Sequence, residues 1–227
     1  MTEGVGGAET QAGLSRERVL REAMRLADEQ GMDALSMRRL GRVLGAGAMS
    51  LYHYVANKEE LLDGMVDLVY AEIEFPTSEG DWREAMRRSS ASAREVLVRH
   101  SWAIALMESR TTPGPANLQH RNAVTGCLRT AGFSIPMTAL ANWLLNSYVY
   151  GFALQEASLP FGTKEELAEM ADDVYVPLLQ ADLYPHLTEV AGALIAAGYD
   201  PAAEFLKGLD VILDALERLR AQSPWRD

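Results

Sequence analysis

"LGRVLGAGAMSLYHYVANKEEL", residues 40 to 61, decides the fold. Apolar residues at helical spacing run up to Leu44, the chain breaks over Gly45 and Gly47, and Leu51, Tyr52, His53 and Tyr54 follow before a restart at Asn57. Upstream, Val19, Leu20, Ala23, Met24, Leu26 and Ala27 recur at helical spacing, with Ser15 as N-cap and Gly31 as stop. A second short helix begins after Ser36 and turns Met37, Leu40, Val43 and Leu44 inward; a third spans about residues 47 to 54. Asn57 and Glu60 have capping-box spacing for a fourth helix carrying Leu61, Leu62, Met65, Val66, Leu68 and Val69. Two short helices divided by a glycine turn and packed on a preceding helix make a helix-turn-helix. Met37, Leu40, Val43, Leu44 and Leu51 suffice for its inner face. Ser50, Tyr52, His53 and Tyr54 exceed what that core uses and are expected to form a contact surface. Aromatic packing within a small bundle is the alternative.

The charge distribution fits a contact with nucleic acid better than the total does. The 227 residues carry a formal charge of −11, yet residues 14 to 58 hold 8 basic and 5 acidic side chains, a local net of +3. A locally basic head on an acidic body is what a DNA reader with a separate, non-DNA-facing domain requires, although a solvated charge mosaic has the same composition. Cys127 is the single cysteine, which excludes an intramolecular disulfide and a cysteine-rich zinc site, and its setting reads as that of a small buried residue. No signal peptide or long apolar run is visible, so a soluble, cytoplasmic protein without a membrane segment is expected.

Residues 1 to 13 are small and polar and read as a disordered tail. The head occupies residues 14 to 75, "FPTSEG" at 75 to 80 is the linker, and a body fills 81 to 227. Asp81 caps a long helix to about residue 109, and "TTPGPAN" breaks the chain. Helices follow at about 117 to 131 and 136 to 158. Thr163 and Glu166 offer a further cap, and weaker helices are expected near 164 to 173 and 183 to 197 before a last one from Pro201 to about Arg220. Strand signals and repeats are absent. The expected fold is all-α: a three-helix head with a helix-turn-helix, and a larger helical body.

"LSMRRLGRVLGAGAMSLYHYVANKEELLDGMVD" resembles the DNA-binding head of TetR-type (tetracycline-repressor-like) transcriptional regulators. The likeness rests on Leu44-Gly45 ending helix two, Leu51-Tyr52 in helix three and Asn57-Lys58 opening helix four. In the body, "YPHLTEV" and "FLKGLDVILDALERL" look like its tetracycline-repressor-type C-terminal class. The resemblance implies a homodimer on double-stranded operator DNA, with helix three in the major groove. Carried over residue by residue, it places DNA contacts on Met37, Arg38, Ala48, Met49, Ser50, Tyr52, His53, Tyr54 and Lys58. Gly47, Ala48 and Met49 stand where the family commonly has more polar residues, which shifts readout toward apolar contact and DNA shape.

The resemblance also implies a small-molecule effector held by the body. Trp82, Met86, Ser89, Ala93, Val96, His100 and Ile104 share one face of the 81-to-109 helix. Trp102, Met107, His120, Trp143, Asn146, Tyr150, Gln155 and Met170 add aromatic, soft and amide groups of the kind that line small-molecule pockets, and with His100 they are the expected ligand contacts. Each of these residues alone reads more readily as core. Leu140, Leu144, Tyr148 and Phe152, with the last helix's Phe205, Leu206, Leu209, Ile212, Leu213 and Leu216, fit an intersubunit four-helix bundle or an ordinary intrachain core. Placing Leu209 and Leu213 at the dimer contact is the expectation that follows.

Enzymatic readings find little support. His100 and Glu108 form no HExxH pair, GxSxG is absent, and four scattered histidines give no metal spacing. Glu165-Glu166 and Asp172-Asp173 are adjacent and so diverge on a helix, and Gly45-Ala46-Gly47 lacks the strand and third glycine of a dinucleotide loop. The expectation is a ligand-responsive repressor, not an enzyme, with no cofactor, released from its operator by a mostly apolar small molecule. The alternative is a helical small-molecule-binding protein without specific DNA binding.

Overall fold

The computed structural model describes residues 13–161, 164–171 and 181–222, and no strand occurs among them. The helices are α1 (Arg16–Gln30), α2 (Met37–Val43), α3 (Ala48–Leu51), α4 (Lys58–Glu72), α5 (Trp82–Arg99), α6 (Ala103–Ser109), α7 (Pro115–Thr130), α8 (Ile135–Ala157), α9 (Lys164–Met170), α10 (Pro185–Ala197) and α11 (Pro201–Gln222). The sequence-predicted tail, apart from Gly13, and the Asp172-Asp173 pair lie outside the described residues, as does Thr163 of the sequence-predicted cap.

Short-range chemistry sets the helix ends. The Ser15 hydroxyl accepts the Arg18 N–H at 3.2 Å, the Ser36 hydroxyl that of Arg39 at 3.2 Å, and Asn57 Oδ1 that of Glu60 at 2.8 Å. The Glu60 carboxylate turns back to accept the Ala56 N–H at 2.6 Å, one residue beyond the usual capping-box partner. Between α2 and α3, Gly45 takes a φ of +66°, and a Cβ on Gly41 would stand 2.8 Å from the Ala46 carbonyl oxygen. The turn therefore closes only around a residue with no side chain at Gly41. Val19, Leu20, Leu40, Leu51, Val55 and Leu61 bury the head's core.

α4 packs on α1 and continues into the body, where it meets α5, α6 and α7; α5, α8 and α11 pack on one another. In this body Arg94 of α5 donates through Nε to Glu156 of α8 at 2.7 Å, and the Tyr148 hydroxyl donates to the Phe205 carbonyl at 2.8 Å. Cys127 is buried, and burial pushes its thiol pKa up. Two expectations change. The helix expected over 81 to 109 is two helices, broken at His100 (φ −116°, ψ 52°), whose ring is held by Asp28 and Glu72. These partners are remote in sequence, so local spacing cannot announce the break.

The second change concerns the last helix. Phe205, Leu209, Leu213 and Leu216 are buried within the chain, against the body, so Leu209 and Leu213 do not face a partner subunit. The outward surface of the α8–α11 pair carries Trp143 (74% exposed), Leu144, Leu154 and Val211. α10 buries nothing and exposes Leu187, Val190 and Leu194. Clustered exposed apolar side chains of this kind mark an association face. Replacing Trp143 and Val211 with Glu is expected to give folded monomers in sedimentation, because the charges would be desolvated only at the dimer contact. Leu209→Glu should instead unfold the body, read as loss of cooperative thermal melting.

Candidate DNA interface and ligand cavity

The helix-turn-helix leaves one side open. On and around α3, Met49 (76% exposed), Ser50, Tyr52 and His53 face solvent, while Ala48 and Tyr54 are half-buried. On α2, Arg38 is exposed and Met37 half-buried. Lys58 occupies the first turn of α4, exposed, beside backbone N–H groups that point out of the helix start. Neither Arg38 nor Lys58 makes an ion pair among the described residues, so both cations are available to an external anion. Leu51, fully buried, anchors α3 from behind. The nine sequence-predicted contact positions thus belong to one connected segment of the head, although Met37, Ala48 and Tyr54 are partly covered.

A cavity lies between α4, α5, α7 and α8. Tyr70 and Ile73 enter from α4 and the segment after it, Met86, Ser89, Ser90 and Ala93 from α5, His120 and Val124 from α7, and Leu145, Asn146, Val149 and Tyr150 from α8. It is small, about 30 Å³, room for one or two waters. The Tyr70 and Tyr150 hydroxyls meet at 3.2 Å, and burial, reinforced by the Tyr70 contact, pushes the Tyr150 pKa up. The His120 ring packs near Tyr70 and Phe75 (centroids 5.7 and 5.6 Å away), and its Nε2 is buried without a partner among the described residues. Burial first, then the charge of Arg121, lowers the His120 pKa to about 4, so its imidazole is neutral near pH 7.

Of the sequence-predicted ligand residues, His120, Asn146 and Tyr150 meet in this cavity. Met107 is buried on α6 outside the cavity wall, Trp143 and Gln155 are exposed on α8, and Met170 is half-buried on α9. His100 and Trp102 sit at the junction of head and body. His100 Nδ1 lies 2.8 Å from Asp28 Oδ1 and Nε2 3.3 Å from Glu72 Oε2, and Trp102 Nε1 donates to Asp28 at 2.6 Å. Burial alone would raise the Glu72 pKa, but hydrogen bonds from Arg99 and His100 hold it below the usual value. Tyr70 was not singled out in the sequence. Its signal was a large aromatic side chain in an otherwise aliphatic stripe of α4.

The same α4 is gripped along its length. Arg110, just after α6, donates through Nε to Asp63 Oδ1 at 2.6 Å and through Nη1 to the Glu59 carboxylate at 2.5 Å. Asp67 accepts the Asn117 backbone N–H at 3.0 Å, and a Cβ on Gly114 would collide with the Asp67 side chain. Glu59, Asp63 and Asp67, at four-residue spacing, therefore form one ladder that ties the reading head to α6 and α7.

A helix-turn-helix head joined through one helix to an all-helical body with a buried cavity defines a class of transcriptional regulator. The profile "Bacterial regulatory proteins, tetR family" matches residues 19–65, and "Tetracyclin repressor-like, C-terminal domain" matches residues 75–220. The HTH-type transcriptional repressor DrrR1 of Streptomyces coeruleorubidus is 36% identical over 220 residues, covering 92% of this chain and 79% of the relative. ActR of Streptomyces coelicolor in complex with actinorhodin is 31% identical, covers 92% of this chain and 99% of its own, and superposes with a TM-score of 0.74. BioQ bound to its double-stranded DNA operator, at 27% identity, covers 65% of this chain and 90% of its own with a TM-score of 0.57. This chain belongs to the TetR family of transcriptional regulators.

The half-buried His120 imidazole gives the cavity a pH signature. The His120 pKa is lowered on folding, so the unfolded chain takes up its proton first as pH falls from about 6.5 toward about 4. Stability attributable to the neutral ring is full above that window and is lost through it, by up to about 3 kcal/mol. Urea unfolding of wild type and His120→Gln at pH 7 and pH 4.5 checks this. The wild type is expected to lose more stability on acidification than the variant.

Proposed function

We propose that this regulator is a homodimeric repressor, with one head per operator half-site, that leaves its operator when a mostly apolar small molecule enters the α4–α5–α7–α8 cavity. The observation that carries the reading is that α4 belongs to both sites. Tyr70, at one end, is part of the cavity wall, and Lys58, about 20 Å away at the other, stands beside the DNA-facing residues. A body that opens around a ligand must displace Tyr70 or the α7 wall opposite it. The Asp63–Arg110 and Asp67–Asn117 contacts pass that displacement to the rest of α4 and so to the spacing of the two heads. The crystallised ActR–actinorhodin complex supports a ligand in a body of this fold. No helix among the described residues is long and apolar enough to cross a membrane, which agrees with action on DNA in the cytoplasm. The reading is of binding chemistry, in keeping with a family of transcriptional regulators.

In the proposed dock, Met49 and Ala48 meet base edges through apolar contact, Ser50, Tyr52 and His53 reach phosphates or bases, and Arg38 and Lys58 supply charge. Tyr52→Ala and Lys58→Ala are expected to weaken operator binding without lowering thermal stability, and Lys58→Ala should flatten the dependence of log K on log salt by about one unit. Fluorescence anisotropy with promoter duplexes at several salt concentrations reads both effects. Parent-like binding by both variants would remove this docking mode.

Arg110→Gln tests the transmission. Its removal unties α4 from the α6–α7 segment without touching either binding surface. Operator affinity in the absence of ligand and ligand affinity in the absence of DNA are expected to stay within about twofold, while the ligand-induced drop in operator affinity shrinks by about fivefold or more. An unchanged drop would mean that the signal travels by another route.

A further inference from the structure

His120, which lines the cavity, is a half-buried side chain with one polar atom fully buried. That atom, Nε2, has no hydrogen-bond partner among the described residues, whereas nearly all buried polar atoms in proteins have one. The ring is neutral, so one nitrogen donates and the other accepts. An orphaned buried donor is rarer than an orphaned acceptor, which assigns the proton to Nδ1 and leaves Nε2 with an unused lone pair. One turn earlier on α7, Asn117 Oδ1 is likewise a buried acceptor without a donor. Across the cavity, the hydroxyls of Tyr70 and Tyr150 share one hydrogen bond, so one phenolic proton of the pair is also uncommitted.

None of the residues lining the cavity is an arginine, lysine, aspartate or glutamate; its polar groups are hydroxyls, the Asn146 amide and the imidazole. A charged ligand would lose its hydration there without a counter-charge. A purely hydrocarbon ligand would leave Nε2 orphaned, now sealed from water as well. A hydroxyl is the small neutral group that donates to Nε2 while accepting from a tyrosine.

We propose that the cavity takes a neutral, mostly apolar molecule bearing a hydroxyl group, and that His120 Nε2 accepts a hydrogen bond from that hydroxyl and so selects the ligand. The inference rests on the reading of this cavity as the effector site. It assigns the chemistry of the ligand and the residue that discriminates.

Direct calorimetric titration of the full-length protein with three probes of one size tests it: 1-naphthol, 1-methoxynaphthalene, which only accepts, and the anion 1-naphthoate. The naphthol is expected to bind about three- to tenfold more tightly than the methyl ether, the range of one net hydrogen bond, and the naphthoate least well. His120→Phe should erase the preference for naphthol over its ether, and His120→Gln, which restores an acceptor, should recover part of it. Thermal melting of each variant verifies folding, and the wild-type comparison stands without them. Equal affinities in the wild type, no binding of any probe, tightest binding of the anion, or a preference that survives in His120→Phe would each overturn the inference. The operator arm separates the two readings. A His120-dependent preference for naphthol without loss of operator affinity upholds the selectivity and removes the effector role.

Discussion

The ion pair between Arg110 and Asp63 holds this architecture to its purpose. Asp63 is on the helix that begins beside the DNA-facing residues, and Arg110 is on the segment leading to the cavity's α7 wall. Both side chains are largely shielded from water, at 17% and 24% exposure, so the pair is less screened than a surface bridge, and the same guanidinium also bridges to the more exposed Glu59 carboxylate. Without that contact, α4 would be a helix that happens to touch two domains. With it, and with Asp67 anchoring the start of α7, any rearrangement of the cavity wall is a force on the head. The glycines take part: Gly114 leaves room for Asp67, and Gly41 lets α2 and α3 come close enough for the reading surface to form.

Residues that act on near neighbours were legible in the sequence. Ser15, Ser36, Asn57 and Asp81 are caps, and each accepts the N–H that its position specifies. The glycine break and the restart at Asn57 were sufficient to recover the helix-turn-helix. What escaped was decided over long sequence separations. The break at His100 needs Asp28 and Glu72, and the helical spacing continues through it as if nothing intervened. The stripe of the last helix was visible, but which of two possible neighbours it faces was not. In the structure the α5 and α8 of the same chain cover it. Candidate pocket residues chosen for their chemistry scattered for the same reason: an aromatic or amide side chain on a helix specifies no direction until the partner helix is known. His120, Asn146 and Tyr150 converge, whereas Trp143 points into solvent.

The reading surface is unusual in chemistry more than in shape. An N-terminal turn of α3 made of Gly47, Ala48 and Met49 offers few hydrogen-bonding groups to base edges, so in the proposed dock discrimination by direct hydrogen bonds would fall on Ser50, His53 and Arg38. In that dock affinity would derive mainly from phosphate contacts, with Lys58 and the start of α4 contributing, and specificity would lean on thymine methyls and on how readily the operator adopts the required shape. Because α4 also borders the cavity, the proposed mechanism has the ligand act on an element that helps hold the operator.

A cavity of about 30 Å³ cannot admit a drug-sized molecule as it stands. The receptive form must therefore be a minority of the population, and the apparent affinity for any ligand is lowered by that fraction. In the proposed mechanism Tyr70, Tyr150 and His120 would act as a spring-loaded latch: traces of a compound would leave the gene silent, and only an accumulated dose would turn it on. Such a sensor would be deliberately insensitive, and a substitution that merely enlarged the cavity would make it trigger-happy without touching its DNA-binding face.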